Sequence, residues 1–295
     1  MLKLLNAILV LTITSLMACQ KEITLPFHSD SKAIFQWDSK LQAQIINGEE
    51  VAPNDPLAAS TVALYMPQKA PSQGITNFCT GTLIAKNVVL SAGHCFLDVS
   101  EGYLRIPLEE FLPQIRIGFG LPVVLSETDT QITFRKIQRV VIHPDYRAGM
   151  VRRAMKIPMP DVAIIFLDED APEGFTPATL GLSPDLIQKG REITLAGYGV
   201  TEASLKAKPK QLMKVQVRID NPQMTSAQFT YKVENHKSAC FADSGGPAYF
   251  QLEDGQYVVG GITSWGDGYC AKMGAYTSVP AFASFVTETL NQAAQ

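Results

Sequence analysis

Three residues of this chain have the type and setting for nucleophilic chemistry: a serine among small neighbours, a histidine beside a cysteine, and an aspartate heading an apolar run. Ser244 lies in Cys240-Phe241-Ala242-Asp243-Ser244-Gly245-Gly246-Pro247. Such a string can make a tight turn that presents a hydroxyl with backbone N–H groups beside it, as an acyl-transfer nucleophile and its oxyanion require. By itself a Ser-Gly-Gly-Pro string is often only a turn.

A serine hydroxyl needs a base at neutral pH, and histidine is the usual one. The chain has 4 histidines. His28 lies in an aperiodic polar stretch, His143 precedes Pro144 at the end of a strand-like run, and His236 sits on a polar loop. All three read as solvated or turn residues. His94, in Leu90-Ser91-Ala92-Gly93-His94-Cys95, follows an apolar strand beside a cysteine, and rigid placement makes it the best base. A histidine base needs an acceptor on its other nitrogen, normally a buried carboxylate. Asp161 opens the apolar run Val162-Ala163-Ile164-Ile165-Phe166, where water is scarce and a specific partner is expected. Capping of the strand is the plainer alternative.

These residues need a large scaffold, and 295 residues with 46% hydrophobic and 18% charged side chains can supply one or two cores. With 25 basic against 28 acidic residues, no field exists for gripping nucleic acid or an anionic membrane. Met1-Leu2-Lys3 followed by Leu4 to Leu11 reads as an export signal over 1–19, and it is too short to span a bilayer. Its end, Leu16-Met17-Ala18-Cys19, resembles a bacterial lipobox, which implies a lipid on Cys19 and an extracellular or cell-envelope location, with the membrane reached only through that lipid. The alternative is an ordinary signal discarded with Cys19. Either way 5 cysteines become an even set, as an exported protein prefers.

Residues 20–44 are polar and aperiodic, a tether or pro-segment. From Ile45 short β-branched runs alternate with Gly, Pro and Asn, among them Val62–Tyr65, Val88–Ser91, Ile115–Ile117, Val140–Ile142, Ile193–Leu195, Met213–Val217 and Tyr257–Val259. Many short strands predict barrels or sandwiches. The turn-rich stretch 171–185 reads as a linker between halves at 45–170 and 186–295, and Phe282, Phe285, Val286 and Leu290 predict a short terminal helix.

Together these features resemble the trypsin and chymotrypsin family of serine endopeptidases from Ile45 to the C-terminus. The order His94, Asp161, Ser244 is the family's order, and Ser91-Ala92-Gly93-His94-Cys95, Asp161-Val162-Ala163-Ile164 and Asp243-Ser244-Gly245-Gly246-Pro247 each resemble its motifs. So do Cys79-Thr80-Gly81-Thr82-Leu83-Ile84 and the substrate-backbone segment Ser264-Trp265-Gly266. The resemblance implies an all-β fold of two six-stranded antiparallel barrels with a short C-terminal helix. It implies disulfides Cys79–Cys95 and Cys240–Cys270, an oxyanion hole of the Ala242 and Ser244 amides, and protein or peptide substrates; nothing in the sequence identifies a cofactor or a metal site, calcium included. Ile45-Ile46-Asn47-Gly48 resembles the family's mature N-terminus, so cleavage before Ile45 would free an ammonium to pair with Asp243. Gln44, where trypsin-activated relatives have Lys or Arg, points to a different activating protease.

The second departure is Ala242, where the family has glycine. Alanine keeps the N–H but adds a Cβ, a strain of about 1 kcal/mol if the backbone needs positive φ. Ser238 matches the base of the primary pocket, with Gly266 and Gly274 as walls, which implies cleavage after large apolar or aromatic residues. The basic loop Tyr146 to Lys156 reads mainly as a solvated face. Two other readings compete: a non-catalytic homologue that binds proteins at the cell envelope, for which only Ala242 speaks, and an esterase, which suits Ser264-Trp265-Gly266 less well.

Overall fold

The computed structural model describes residues 45–68, 74–98, 107–146, 160–199 and 210–293. Cys19, His28, Gln44 and the basic loop beyond Tyr146 lie outside them. In chain order the strands of the first half are β1 (Glu49–Glu50), β2 (Thr61–Pro67), β3 (Ile75–Ala85), β4 (Val88–Ser91), β5 (Arg116–Phe119), β6 (Thr133–Ile142) and β7 (Ala163–Leu167). Those of the second are β8 (Thr179–Leu180), β9 (Glu192–Gly197), β10 (Met213–Thr225), β11 (Gln228–Lys232), β12 (Pro247–Gln251), β13 (Tyr257–Gly266) and β14 (Met273–Ser278).

They form two closed antiparallel barrels of six strands each. The first runs β2-β3-β4-β7-β6-β5 and back to β2. The second runs β9-β10-β11-β14-β13-β12 and back to β9. Closure leaves no barrel edge except those that β1 and β8 cover on β10 and β13. The sequence dictates which face goes inward. Along β10, Met213, Val215, Val217 and Ile219 are buried while Gln216 and Arg218 are exposed, the period of two expected of a half-buried strand. The continuous apolar run of β7 is buried throughout, its edges paired with β4 and β6 and its side chains packed in the core.

The segment between the barrels is tied to each. Thr176 and Ala178 amides donate to Ala59 and Leu83 carbonyls, and Thr179–Leu180 pairs in parallel with Val258–Val259. Buried hydroxyls complete the junction: Tyr198 Oη lies 2.7 Å from Gly120 O, and Tyr249 Oη lies 2.8 Å from Ser60 Oγ. The predicted terminal helix is Ala283–Ala293, with Val286 buried and Phe282, Phe285 and Leu290 packed against the core.

Candidate active site

His94 opens a short helix, His94–Asp98, directly after β4, and the Cys79–Cys95 disulfide ties that turn to β3. Asp161 stands two residues before β7, the neighbour of β4 in the barrel, so sheet pairing brings the two together. The Asp161 carboxylate is fully buried. Its Oδ1 accepts the His94 amide at 2.9 Å, and Oδ2 accepts His94 Nδ1–H at 2.8 Å and the Ser264 hydroxyl at 2.5 Å. Burial pushes this carboxyl up, but the His94 charge and these hydrogen bonds outweigh it and hold it below the ordinary value. An ionised carboxylate only accepts, so when the imidazole is neutral its one proton sits on Nδ1 and Nε2 keeps its lone pair.

Ser244 and His94 line one cleft between the barrels. The serine sits on a turn whose next residue, Gly245, has φ +80°, and a Cβ there would overlap Ser91 Oγ and Thr80 O, so glycine is required on both counts. Among the described residues Ser244 makes no side-chain hydrogen bond, and its hydroxyl shares the cleft with the His94 ring.

Ala242 has φ +72°, the left-handed conformation in which its methyl group is strained. The amides of Ala242 and Ser244 donate to no protein acceptor among the described residues, leaving two N–H groups available beside the serine. The strained residue is braced from the other barrel. Thr80 Oγ1 on β3 accepts the Tyr198 amide at 3.2 Å and therefore donates its proton to Ala242 O, at 2.9 Å. The Thr80 amide also donates to Ser244 O at 2.8 Å. Thr80→Val should lower kcat by about tenfold with KM little changed, because the half-buried Ala242 carbonyl loses its donor and the turn is freed to relax. Ala242→Gly should raise kcat by about fivefold, the equivalent of about 1 kcal/mol of relieved strain, and should make Thr80→Val less harmful. Steady-state kinetics on the four proteins, with thermal melts for fold, checks both.

Asp243 is buried, and its carboxylate accepts the Gly199 and Cys240 amides, each at 2.8 Å. Among the described residues no cation reaches it. Burial pushes the carboxyl up to about 7, against the pull of those two amides. Ile45 is fully buried in the second barrel's core, and Ile46 O accepts the Ser238 amide at 3.2 Å. The segment expected to become the N-terminus is thus already seated against the loop that carries Asp243.

The pocket differs from expectation. Ser264, Trp265, Gly266 and Gly274 line the cleft, but Ser238 does not. Tyr231 of β11 stands in front of it. Ser238 Oγ donates to Ala239 O at 2.8 Å, so the Tyr231 hydroxyl donates to Ser238 Oγ at 2.9 Å while accepting the Ala239 amide at 2.9 Å. Burial pushes that phenol up to about 12, so its proton stays on. The Ser264 side chain is turned to Asp161, which leaves only its backbone for a substrate. Tyr231 and Thr80 carry these effects from β11 and β3, and the sequence marks neither residue for such a role.

The other histidines lie elsewhere. His143 packs on Phe282 and Phe285 with ring centroids 5.2 and 4.8 Å away, and burial pushes it down against the pull of Asp145. His236 is exposed on a turn. Cys79, His94 and Cys95 come within metal-ligating reach of one another, but both sulfurs are spent in the disulfide and offer no thiolate. Cys240 and Cys270 form the second disulfide, and no helix of the described residues is long and apolar enough to cross a membrane.

The family model described as Trypsin matches residues 45–286. The chain belongs to the trypsin family of serine endopeptidases. It is 29% identical to trypsin of Sus scrofa over 73% of this chain and 86% of that protein. It is 28% identical to serine protease 1 of Homo sapiens over 72% of this chain and 80% of that protein. It is also 23% identical to transmembrane protease serine 9 of Rattus norvegicus, over 85% of this chain but only 22% of that much longer protein.

Proposed function

We propose that this chain hydrolyses peptide bonds through an acyl-enzyme formed on Ser244. His94 Nε2 takes the hydroxyl proton as Oγ attacks the substrate carbonyl, and the resulting oxyanion is held by the Ala242 and Ser244 amides. His94⁺ gives the proton to the leaving amine, and the carbonyl re-forms as the C–N bond breaks. Water repeats the sequence and releases the acid. Asp161 fixes the imidazole tautomer and stabilises the imidazolium. The observation that carries this reading is the buried Asp161 carboxylate on His94 Nδ1, with His94 and Ser244 lining one cleft and the Ala242 and Ser244 amides donating to no acceptor among the described residues.

Activation is by cleavage before Ile45, whose new ammonium pairs with Asp243. Export is through residues 1–19, and Cys19 carries a lipid, so the same cut also frees the catalytic part from the envelope. The two disulfides support an exported protein. The rival reading, a binding homologue without activity, draws on Ala242. It is weakened because alanine there keeps its amide free at positive φ.

The deciding experiment is labelling of the processed protein with serine-directed phosphonates, with Ser244→Ala as control. Stoichiometric labelling at Ser244 that the variant loses supports the endopeptidase. A folded, processed protein that takes no label is the binding homologue.

A further inference from the structure

Tyr231 is one of the residues that line the cleft. Tyr231 pairs with Gly274 across the β11–β14 ladder. Its ring crosses the glycine so closely that a Cβ there would stand 2.7 Å from both Cζ and Oη. Gly274 pairs in turn with Gly266 at the mouth. There a Cβ would meet only Met273 O at 3.0 Å and Gly274 Cα at 3.8 Å, so the entrance is open while the deep end is filled. The ring cannot swing aside cheaply, since its hydroxyl is held by Ser238 Oγ and the Ala239 amide and it packs on Tyr276 with centroids 5.9 Å apart. The whole cleft, including the part beside His94 and Ser244, encloses about 360 Å³.

Among the described residues lining this cleft, no carboxylate is left free of hydrogen-bond donors to receive a cation. The rim carboxylate of Asp267 already accepts four backbone amides, those of Tyr269 and Ala271 on Oδ2 and of Lys272 and Met273 on Oδ1. Asp243 is turned to Gly199 and Cys240 and does not line the cleft. A buried lysine or arginine head group would therefore be left unpaired.

Resting on the endopeptidase reading above, we propose that Tyr231 is the specificity-determining floor of the primary pocket, and that the enzyme cleaves after small uncharged residues such as Ala, Ser, Thr and Val. This replaces the expectation of large apolar or aromatic residues, which took Ser238 as the base and left the space above it empty.

The test is a set of tetrapeptide p-nitroanilides that differ only in the last residue, given to the processed protein. kcat/KM for Ala or Val should exceed that for Phe and Arg by about tenfold or more. In Tyr231→Ala the Phe-to-Ala ratio should rise by about tenfold or more, whereas Tyr231→Phe, which keeps the ring, should keep the wild-type ranking. A wild-type preference for Phe or Arg overturns the proposal, and so does a ratio unmoved in a folded Tyr231→Ala. If that variant does not fold, the wild-type ranking and Tyr231→Leu decide the matter alone. Paired Ala-type and Phe-type phosphonates separate the two readings. Preferential labelling of Ser244 by the Phe-type probe overturns the floor and leaves the endopeptidase standing. No labelling by either overturns both.

Discussion

Asp161→Asn should lower kcat by about 10⁴ while KM changes within a small factor and the protein stays folded. The size follows from the hydrogen bonds. The carboxylate accepts from His94 Nδ1, from the His94 amide and from Ser264 Oγ, all without access to water. An asparagine fills the same volume but has one acceptor oxygen and an NH₂ group. If its oxygen keeps Nδ1–H, the NH₂ group faces the His94 amide, donor against donor. If the NH₂ group faces the ring, it donates to Nδ1 and moves the imidazole proton to Nε2, where no lone pair is left to take the Ser244 proton. Either arrangement removes the carboxylate that stabilises the imidazolium. Substrate binding draws on the cleft walls and is not touched, so the loss belongs to kcat. Steady-state kinetics checks the split, and the imidazole ¹⁵N spectrum shows which nitrogen carries the proton. Near-normal kcat in Asp161→Asn would reduce the carboxylate to the strand cap that the sequence also allowed.

What could be read from the sequence was what periodicity and local chemistry encode. Apolar runs such as Val162–Phe166 and Met213–Val217 announce strands, and closure into two barrels follows from the family to which their motifs belong. His94, Asp161 and Ser244 stand in strings whose neighbours are themselves constrained, such as Gly245, which no other residue could replace. The pocket was not readable in the same way. Its floor depends on which way one side chain of β11 leans across a glycine on β14, and that is a property of the ladder, not of either segment. The brace on Ala242 was hidden for the same reason, since Thr80 lies 162 residues away in the other barrel. The strain itself was anticipated, because a methyl group at a position that needs positive φ is a local property.

Protein left uncut before Ile45, or processed protein carrying Asp243→Asn, should be folded and about 10² to 10³ slower than the processed wild type. In the uncut chain Asp243 is a buried carboxyl with two amide donors and no cation among the described residues. Ionising it there is unfavourable, which is why its pKa stands at about 7. Cleavage would create an ammonium on Ile45, a residue already buried in the same barrel, and the pair offsets the desolvation of both charges. With the ammonium in place, the ion pair would fix the Asp243 side chain and so add to the hold that Thr80 already has on this turn. In Asp243→Asn the ammonium would have no counter-charge and would stay in water, so the turn would be held by the Thr80 contacts alone. The pH dependence gives a signature independent of rate. Below about pH 4 the carboxyl is protonated folded or unfolded, and this contribution to stability is complete. Between there and about pH 7 the folded uncut chain keeps a proton that the unfolded chain has released, so stability falls as pH rises. The loss is on the order of 4 kcal/mol and is complete above the folded pKa. Cleavage should abolish that fall, because the ammonium holds the carboxylate ionised across the same window. Urea unfolding of cut and uncut protein at pH 5 and pH 8 measures the difference. Equal pH dependence in the two forms, or full activity in Asp243→Asn, would mean that this carboxylate does not receive the new N-terminus.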